Sequence, residues 1–343
     1  MKKETKIQLI IIFALSIILV MLLFSVPKLT NSGKFNPFND EKEKDTFSED
    51  VDAGISINTK TINLNEYDNN ISISKGGEYN INGSFDHSIL VDSKDKVILY
   101  LNGIEINSDI TAAIANKGSG ELVINIVEGT TNILKDNGSS EFDGCIYSSG
   151  KLTIEGKGIL KVYGNQDEGE GIATTDNDIT INGGEIYIES NDDGLNAGGD
   201  NGGIITINSG SITIKANGDG IDSNGSLIIN GGSVYTIGSS KGGDAGIDTD
   251  KSFEINGGNV IALGSDMIQN PDETSKQKYI SFNMKNVISS GSNISIKNGK
   301  DDIVNFVANE DFKTLIISNS NINSGNYDLY VDGKKTSYSY EVK

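Results

Sequence analysis

From about residue 144 onward, apolar residues recur at every second position in short runs, each run interrupted by glycine or asparagine. Leu152/Ile154, Ile179/Ile181, Ile205/Ile207, Leu227/Ile229 and Phe253/Ile255 stand at i and i+2, so each pair shares one face of a strand. Asn-Gly-Gly follows at Asn182-Gly183-Gly184, Asn230-Gly231-Gly232 and Asn256-Gly257-Gly258, with Asn208-Ser209-Gly210 between them, and is read as a tight turn. A second apolar pair comes after it, as in Ile186/Ile188 and Ile212/Ile214. A helix would place apolar residues at i, i+3 and i+4 and would not tolerate glycine pairs in each unit.

The units repeat. Their opening glycines, Gly144, Gly171, Gly194, Gly220 and Gly246, are 27, 23, 26 and 26 residues apart. Two strands after each opening, and a third beside the glycine itself, predict one coil of a right-handed parallel β-helix. Strands then pair with the coils above and below about 4.8 Å away. This reading gives Cys145 the ladder position held later by Ile172, Leu195, Ile221 and Ile247, as a small buried hydrophobe. Residues 54–275 form the predicted helix, and 276–343, which alternate without the repeat, form a β cap over its open edge.

The pattern changes at the start of the chain. Residues 7–26 are 20 almost uniformly apolar positions, about 30 Å as a helix, enough to cross a bilayer. Lys2, Lys3 and Lys6 precede them and Pro27 follows, so 1–28 are expected to be a cytoplasmic tail and uncleaved transmembrane anchor, with the rest displayed outside the cell membrane. Residues 29–53 carry mixed charge and few aliphatics, as a solvated linker does.

Composition narrows the function. With 28 basic against 48 acidic side chains the net charge is −20, all the cations being lysine, and nucleic acid is excluded as a partner. One histidine (His87, read as solvated) and one cysteine leave no zinc set, no histidine-based triad and no internal disulfide. The 41 glycines and 3 prolines suit many short strands joined by turns.

The acids are ordered. Asp143, Glu170, Asp193 and Asp219 precede successive opening glycines, Asn196, Asp222 and Asp248 stand two positions after them, and Asn224 and Asp250 four after. Stacked in a solenoid, these columns repel, and a hard cation between coils removes the conflict. Oxygen ligands from Asp and Asn point to Ca2+, with turn chemistry as the alternative for the column before the glycine. On the outward side of the second strand, Lys161, Tyr187 and Tyr235 are candidates for contact with a glycan, the two tyrosines about 10 Å apart, near the length of two pyranose units. Lys161, Lys215, Lys241 and Lys251 near the coils are the candidate general bases if the protein is a catalyst, and surface cations otherwise.

The run TINLNEYDNNISISKGGEYNINGSFDHSILVDSKDKVILYLNGIEINS, the coils DGLNAGG, DGIDSNGSLIINGG and AGIDTDKSFEINGGNVIALG, and the closing TLIISNSNINSGNYDLYVDG resemble the bacterial carbohydrate-binding domain family with a pectate-lyase-like β-helix. The resemblance covers residues 58–332. It implies calcium on the β-helix, at positions matched here by Asp193, Asp219, Asp222, Asp248 and Asp250, and binding of cell-wall polysaccharide, cellulose or acidic pectic sugars. The expected protein is therefore a monomeric, non-catalytic, calcium-binding polysaccharide-binding protein. A calcium-dependent pectate-type lyase and an adhesive solenoid without a sugar ligand are the alternatives.

Overall fold

The computed structural model describes residues 59–109, 111–137, 142–167 and 169–343. Among them there is no α-helix, only a 3-10 turn at Leu64–Glu66, and no helix long and apolar enough to cross a membrane. The apolar stretch 7–26 and the linker 29–53 lie outside the described residues.

The repeat becomes a parallel β-solenoid with three strand columns. An 8-stranded sheet forms the first face. Its strands are three or four residues long, from Ile71–Ile73 to Ile247–Thr249, and each begins on one aliphatic ladder. That ladder runs Ile71, Ile89, Ile114, Ile146, Ile172, Leu195, Ile221, Ile247, all paired in parallel. Residues on either side of the middle position point inward and the middle one points out, so Ile221 and Ser223 are buried while Asp222 faces solvent.

Ile146, not Cys145, therefore holds the ladder rung. Cys145 stands one position earlier, its N–H bonded to the Glu170 carbonyl as the Gly171 N–H is bonded to the Asp193 carbonyl. The same offset displaces Asp143 from the acidic column by one residue. Cys145 is fully buried among the core aliphatics.

A 15-stranded sheet carries the second and third columns. The strands Ile179–Ser190 and Ile204–Ala216 run through both, with the register shifting at Asn182. In the next coil the same bend separates Ser226–Ile229 from Ser233–Ile237. The Asn-Gly-Gly segments are thus corners between two columns rather than reversals of the chain. Their asparagines stack: Asn208 Nδ2 donates to Asn182 Oδ1 (2.8 Å), Asn230 Nδ2 to Asn208 Oδ1 (2.9 Å) and Asn256 Nδ2 to Asn230 Oδ1 (3.2 Å). Gly232 is needed there, since its φ is +81° and a Cβ would lie 2.6 Å from the Gly210 carbonyl oxygen.

The opening glycines answer a different demand. A Cβ on Gly194 would lie 2.1 Å from Ile214 Cγ2, because the third column returns to the first face at that corner with no room for a side chain. Inside the three faces, the Ile and Leu ladders form one continuous core, in which truncating a single rung to alanine costs about 2–5 kcal/mol.

At the C-terminal end the parallel pattern stops. Phe312–Ser318 pairs antiparallel with Asn259–Gly264, the last third-column strand, and Tyr279–Ile288 pairs with it in turn. A 4-stranded antiparallel sheet, Asn293–Asn298, Asp301–Val307, Gly325–Val331 and Lys334–Val342, packs over them. Its apolar side folds back onto the outward positions of the last coils and makes a second core with Tyr235, Ile261, Phe306 and Phe312. Tyr235 is consequently 1% exposed, with its ring edge-on to Phe306 at 6.2 Å. The expectation that Tyr235 contacts a glycan is corrected by this cover: no sugar ring reaches it.

Candidate functional site

The first-face register puts Asn196, Asp222 and Asp248 side by side on adjacent strands. Each is the outward middle residue of its strand and each is half-buried. The corner just before these strands supplies Glu170, Asp193 and Asp219. Their backbone carbonyls hold the coils together, Gly171 N–H bonding to Asp193 and Gly194 N–H to Asp219. Their carboxylates point to the same side as the outward column.

These side chains meet. Asn196 directs Nδ2 at Glu170 Oε1 (2.5 Å), Asp193 Oδ2 (3.0 Å) and Asp222 Oδ2 (3.5 Å). Asp193 Oδ1 accepts from the Asp219 N–H (2.6 Å), and Asp219 Oδ1 accepts in the same way from the Ala245 N–H one coil further on. Each corner carboxylate therefore ties its coil to the next. Asp219, Asp222 and Asp248 each offer one carboxylate oxygen to a group of three that lie within 4.8 Å of one another.

Electrostatics at this corner are unresolved by the protein alone. Burial pushes the Glu170 carboxyl well above the usual carboxylate range, and the charges of Asp143 and Asp193 add to it. Burial likewise moves Asp193 and Asp219 up to about 7, against the lowering effect of the backbone N–H each accepts. Asp222 rises to about 6, first through burial and then through Asp248 and Asp250, and Asp248 rises through burial and the charge of Asp250, against the lowering effect of the Thr249 N–H. Among the described residues no lysine forms an ion pair with Glu170, Asp193, Asp219, Asp222 or Asp248.

The donor set suits a hard cation. Two oxygens that share an ion at the Ca–O distance of about 2.3–2.6 Å stand no more than about 5 Å apart, and the triad meets that limit. Asp219, Asp222 and Asp248 are the residues that would hold the ion. Asp193, Glu170 and Asn196 border them. Asn224 and Asp250 stand at the far end of the same strands, and neither belongs to the triad; Asp250 is exposed and acts on Asp222 and Asp248 through its charge.

Two contributors escape the sequence reading. Asp192 adds its charge to Glu170, Asp193 and Asp222. Gly218 gives two carboxylates room, since a Cβ there would lie 2.4 Å from both Asp192 Oδ1 and Asp193 Oδ1. The doubled acid of Asp192-Asp193-Gly194 is the signal that could have found the first.

Lys161 and Tyr187 belong elsewhere, on the third face. They pair across adjacent strands, with Lys161 Nζ 5.9 Å from the Tyr187 ring centroid and the Tyr187 hydroxyl donating to Glu185 Oε1. Of the other lysines considered, Lys215 is held by Glu310 (2.9 Å) and Glu189 (3.8 Å), and Lys251 Nζ donates to the Asn201 carbonyl (3.2 Å).

Comparison with known proteins gives a family. A curated protein of Acetivibrio thermocellus, described as a carbohydrate-binding domain-containing protein, is 32% identical over 158 residues, 41% of this chain and 54% of that protein. The chain thus spans about half the length of the relative it matches. A solved structure described as the polysaccharide lyase-like protein from C. thermocellum, gadolinium derivative, is 28% identical with a TM-score of 0.47, covering 63% of this chain and 97% of that one. Residues 67–332 match the family described as carbohydrate-binding domain-containing protein, and the chain belongs to that family.

Proposed function

We propose that this chain is a non-catalytic polysaccharide-binding protein whose acidic corner takes up calcium. The observation that carries the reading is the Asp219/Asp222/Asp248 triad, three carboxylates from two adjacent coils set within 4.8 Å of one another and left without a cation of the protein's own. Family membership supports the polysaccharide part. A chain at −20 repels a polyuronate through its own field. Calcium at the corner supplies what the residues lack, a positive centre that neutralises the stacked acids and offers open positions to sugar oxygens. The protein's part is to hold the oxygens in register by its strand pairing and to keep the corner partly dry. For the ligand, acidic pectic chains fit this arrangement best. We further propose that residues 7–26 anchor the protein in the cell membrane with the solenoid outside.

Catalysis has less support. Against the lowering effect of its burial, Lys215 is held by Glu310 and Glu189, which raise its pKa overall and keep it a cation rather than a base. Affinity electrophoresis of the full chain through gels with polygalacturonate, in calcium and in EDTA, tests the reading. Retardation that needs calcium, without the absorbance of unsaturated uronate, is the expected result. Rising absorbance would make the protein a lyase, and free migration in both gels would sink the binding reading.

A further inference from the structure

The acidic corner is longer in the last coil than in the two coils before it. Leu195 follows Glu189 by 6 residues and Ile221 follows Lys215 by 6, whereas Ile247 follows Ile237 by 10, at positions that strand register makes equivalent. Two hydrogen bonds place the extra residues. The Ser239 N–H donates to the Gly218 carbonyl (2.7 Å), and the Ala245 N–H donates to the Asp219 carboxylate. Gly218 and Asp219 are consecutive, so the chain leaves and returns at what is a single peptide bond in the preceding coil. Residues 240–244 therefore stand out as a loop rooted on both sides at Asp219, a member of the triad.

The loop reads Ser-Lys-Gly-Gly-Asp, and Lys241, Gly242 and Gly243 are exposed. A Cβ on Gly243 would meet nothing within 4 Å, and one on Gly242 only the Asp244 carboxylate at 3.5 Å, so the tip packs against no other coil. Ser265 Oγ donates to the Asp244 carbonyl (2.6 Å) and lies 3.1 Å from the Gly242 carbonyl, which holds the rear of the loop. The Lys241 side chain, on its four-carbon stem, is left able to turn.

Charge gives that freedom a direction. Of the six lysines between residues 142 and 264, Lys241 alone rises from the corner that carries the acids. Among the described residues it forms no ion pair with Asp219, Asp222 or Asp248. The loop is nevertheless within electrostatic range of them, since the charge of Asp244 acts on Asp219. Asp266, next to Ser265 on the other side of the loop, is already held by Lys313 (2.5 Å).

We infer that, given the calcium reading above, residues 240–244 form a counter-ion arm: with no metal in the corner the Lys241 ammonium turns in against Asp219 and Asp248, and calcium displaces it to solvent. One ammonium relieves part of the repulsion between carboxylates stacked about 5 Å apart. Calcium must then displace a resident charge as well as gather its oxygens, so the corner fills at a higher calcium concentration than the triad alone would set. The open position of the structure is the one that leaves the triad accessible to a cation.

The wild-type full chain tests the movement. Lysines are acetylated with an N-hydroxysuccinimide ester in EDTA and in saturating calcium, and the rate at each residue is read by mass spectrometry. Labelling of Lys241 should be about threefold faster in calcium, while the exposed Lys94 on a distant coil is unchanged. Calcium affinity, from competition with a fluorescent chelator, should rise about fivefold in Lys241→Met at about 0.02 M salt and differ from wild type by less than about twofold at about 1 M. Lys241→Arg, which keeps the charge, should bind calcium as wild type does. Equal labelling of Lys241 in the two conditions overturns the inference, as does a Lys241→Met affinity equal to wild type at low salt. If wild type then still takes calcium from the chelator, the arm alone fails; if it takes none, the calcium reading fails and the arm with it.

Discussion

On the first face, strand register sets Asp222 directly beside Asp248, like charge on like. On the third face the same register sets Glu189 beside Lys215 and Lys161 beside Tyr187, so each charge finds a complement. Both faces come from one repeat with one rise per coil, and they differ only in which residue types recur at the outward position. A solenoid copies its chemistry from coil to coil at about 5 Å, so an acid repeated in that column becomes a conflict that partial burial sharpens. Burial lifts the acids of the first-face corner toward neutrality, to about 7 for Asp193 and Asp219. The third face closes its own circuits through Lys215, Glu189 and Glu310. On the proposed reading, the conflict maintained across coils is what the bound calcium relieves.

The sharpest way to press the comparison is to supply or remove the cation. On the proposed reading, calcium at about a thousandfold excess over its Kd stabilises the folded chain by on the order of 4 kcal/mol. A melting curve in calcium should then sit on the order of 10 °C above one in EDTA. Magnesium, which demands a tighter octahedral shell, should give a smaller shift. Coincident curves in calcium and EDTA would mean that the acidic corner tolerates its own repulsion and takes no metal.

Much of this was open to reading from the residues. The i, i+2 pairs and the spacing of opening glycines give the columns, and the acids at fixed offsets from those glycines give the corner. Three things were hidden, each for a physical reason. The coil opening at Gly144 carries one residue more before its first ladder position, so aligning on the glycine places Cys145 where Ile146 stands. Tyr235 looks in the repeat like Tyr187, two coils earlier in the same column, and only the fold-back of a sheet some 60 or more residues further on buries it. Asp136 lies in a coil without the Asp-Gly signature, yet the solenoid leaves none of it exposed.

Asp136 extends the comparison to the inner side of the third face. It is fully buried, accepts from the Asn165 N–H through Oδ1 (2.7 Å), and its Oδ2 has no partner among the described residues. Burial raises its pKa to about 6 from an ordinary 3.8. The folded chain thus holds this proton where the unfolded chain has lost it, and stability falls as pH rises from about 4 to 6. The loss is complete above 6 and amounts to on the order of 3 kcal/mol. Asp136→Asn removes the titration. Urea unfolding of wild type and variant at pH 4 and pH 7.5 should show the difference moving in the variant's favour by that amount. A constant difference would show that the carboxylate is charged at no cost, and the contrast between enclosed and outward acids would lose its basis.

A smaller effect distinguishes repulsion from metal binding. Asp222→Asn removes one of the paired first-face charges while keeping an oxygen and the side-chain volume. In EDTA the variant should be the more stable protein, by on the order of 1 kcal/mol once solvent screening of this half-exposed site is allowed for. In saturating calcium the order should invert, because a ligand charge is missing. Thermal melts in the two conditions check the crossing, and parallel curves in both would reduce Asp222 to an ordinary surface acid.

Lys215 is the corresponding test on the face where charges are matched. Its ammonium lies 2.9 Å from Glu310 and 3.8 Å from Glu189, and about half of the side chain is in solvent. Exposed pairs of this kind contribute less than about 1 kcal/mol. Lys215→Met should therefore cost that little, and the cost should fade in about 1 M salt, where the screening length drops to about 3 Å. Calcium affinity should not change, since Lys215 touches no residue of the acidic triad. A loss larger than that from removing calcium, or one that persists in high salt, would mean that the Lys215–Glu310 bridge clamps the cap to the solenoid. The third face would then owe its order to a single tether, and the distinction between a self-satisfied face and one awaiting a ligand would have to be redrawn.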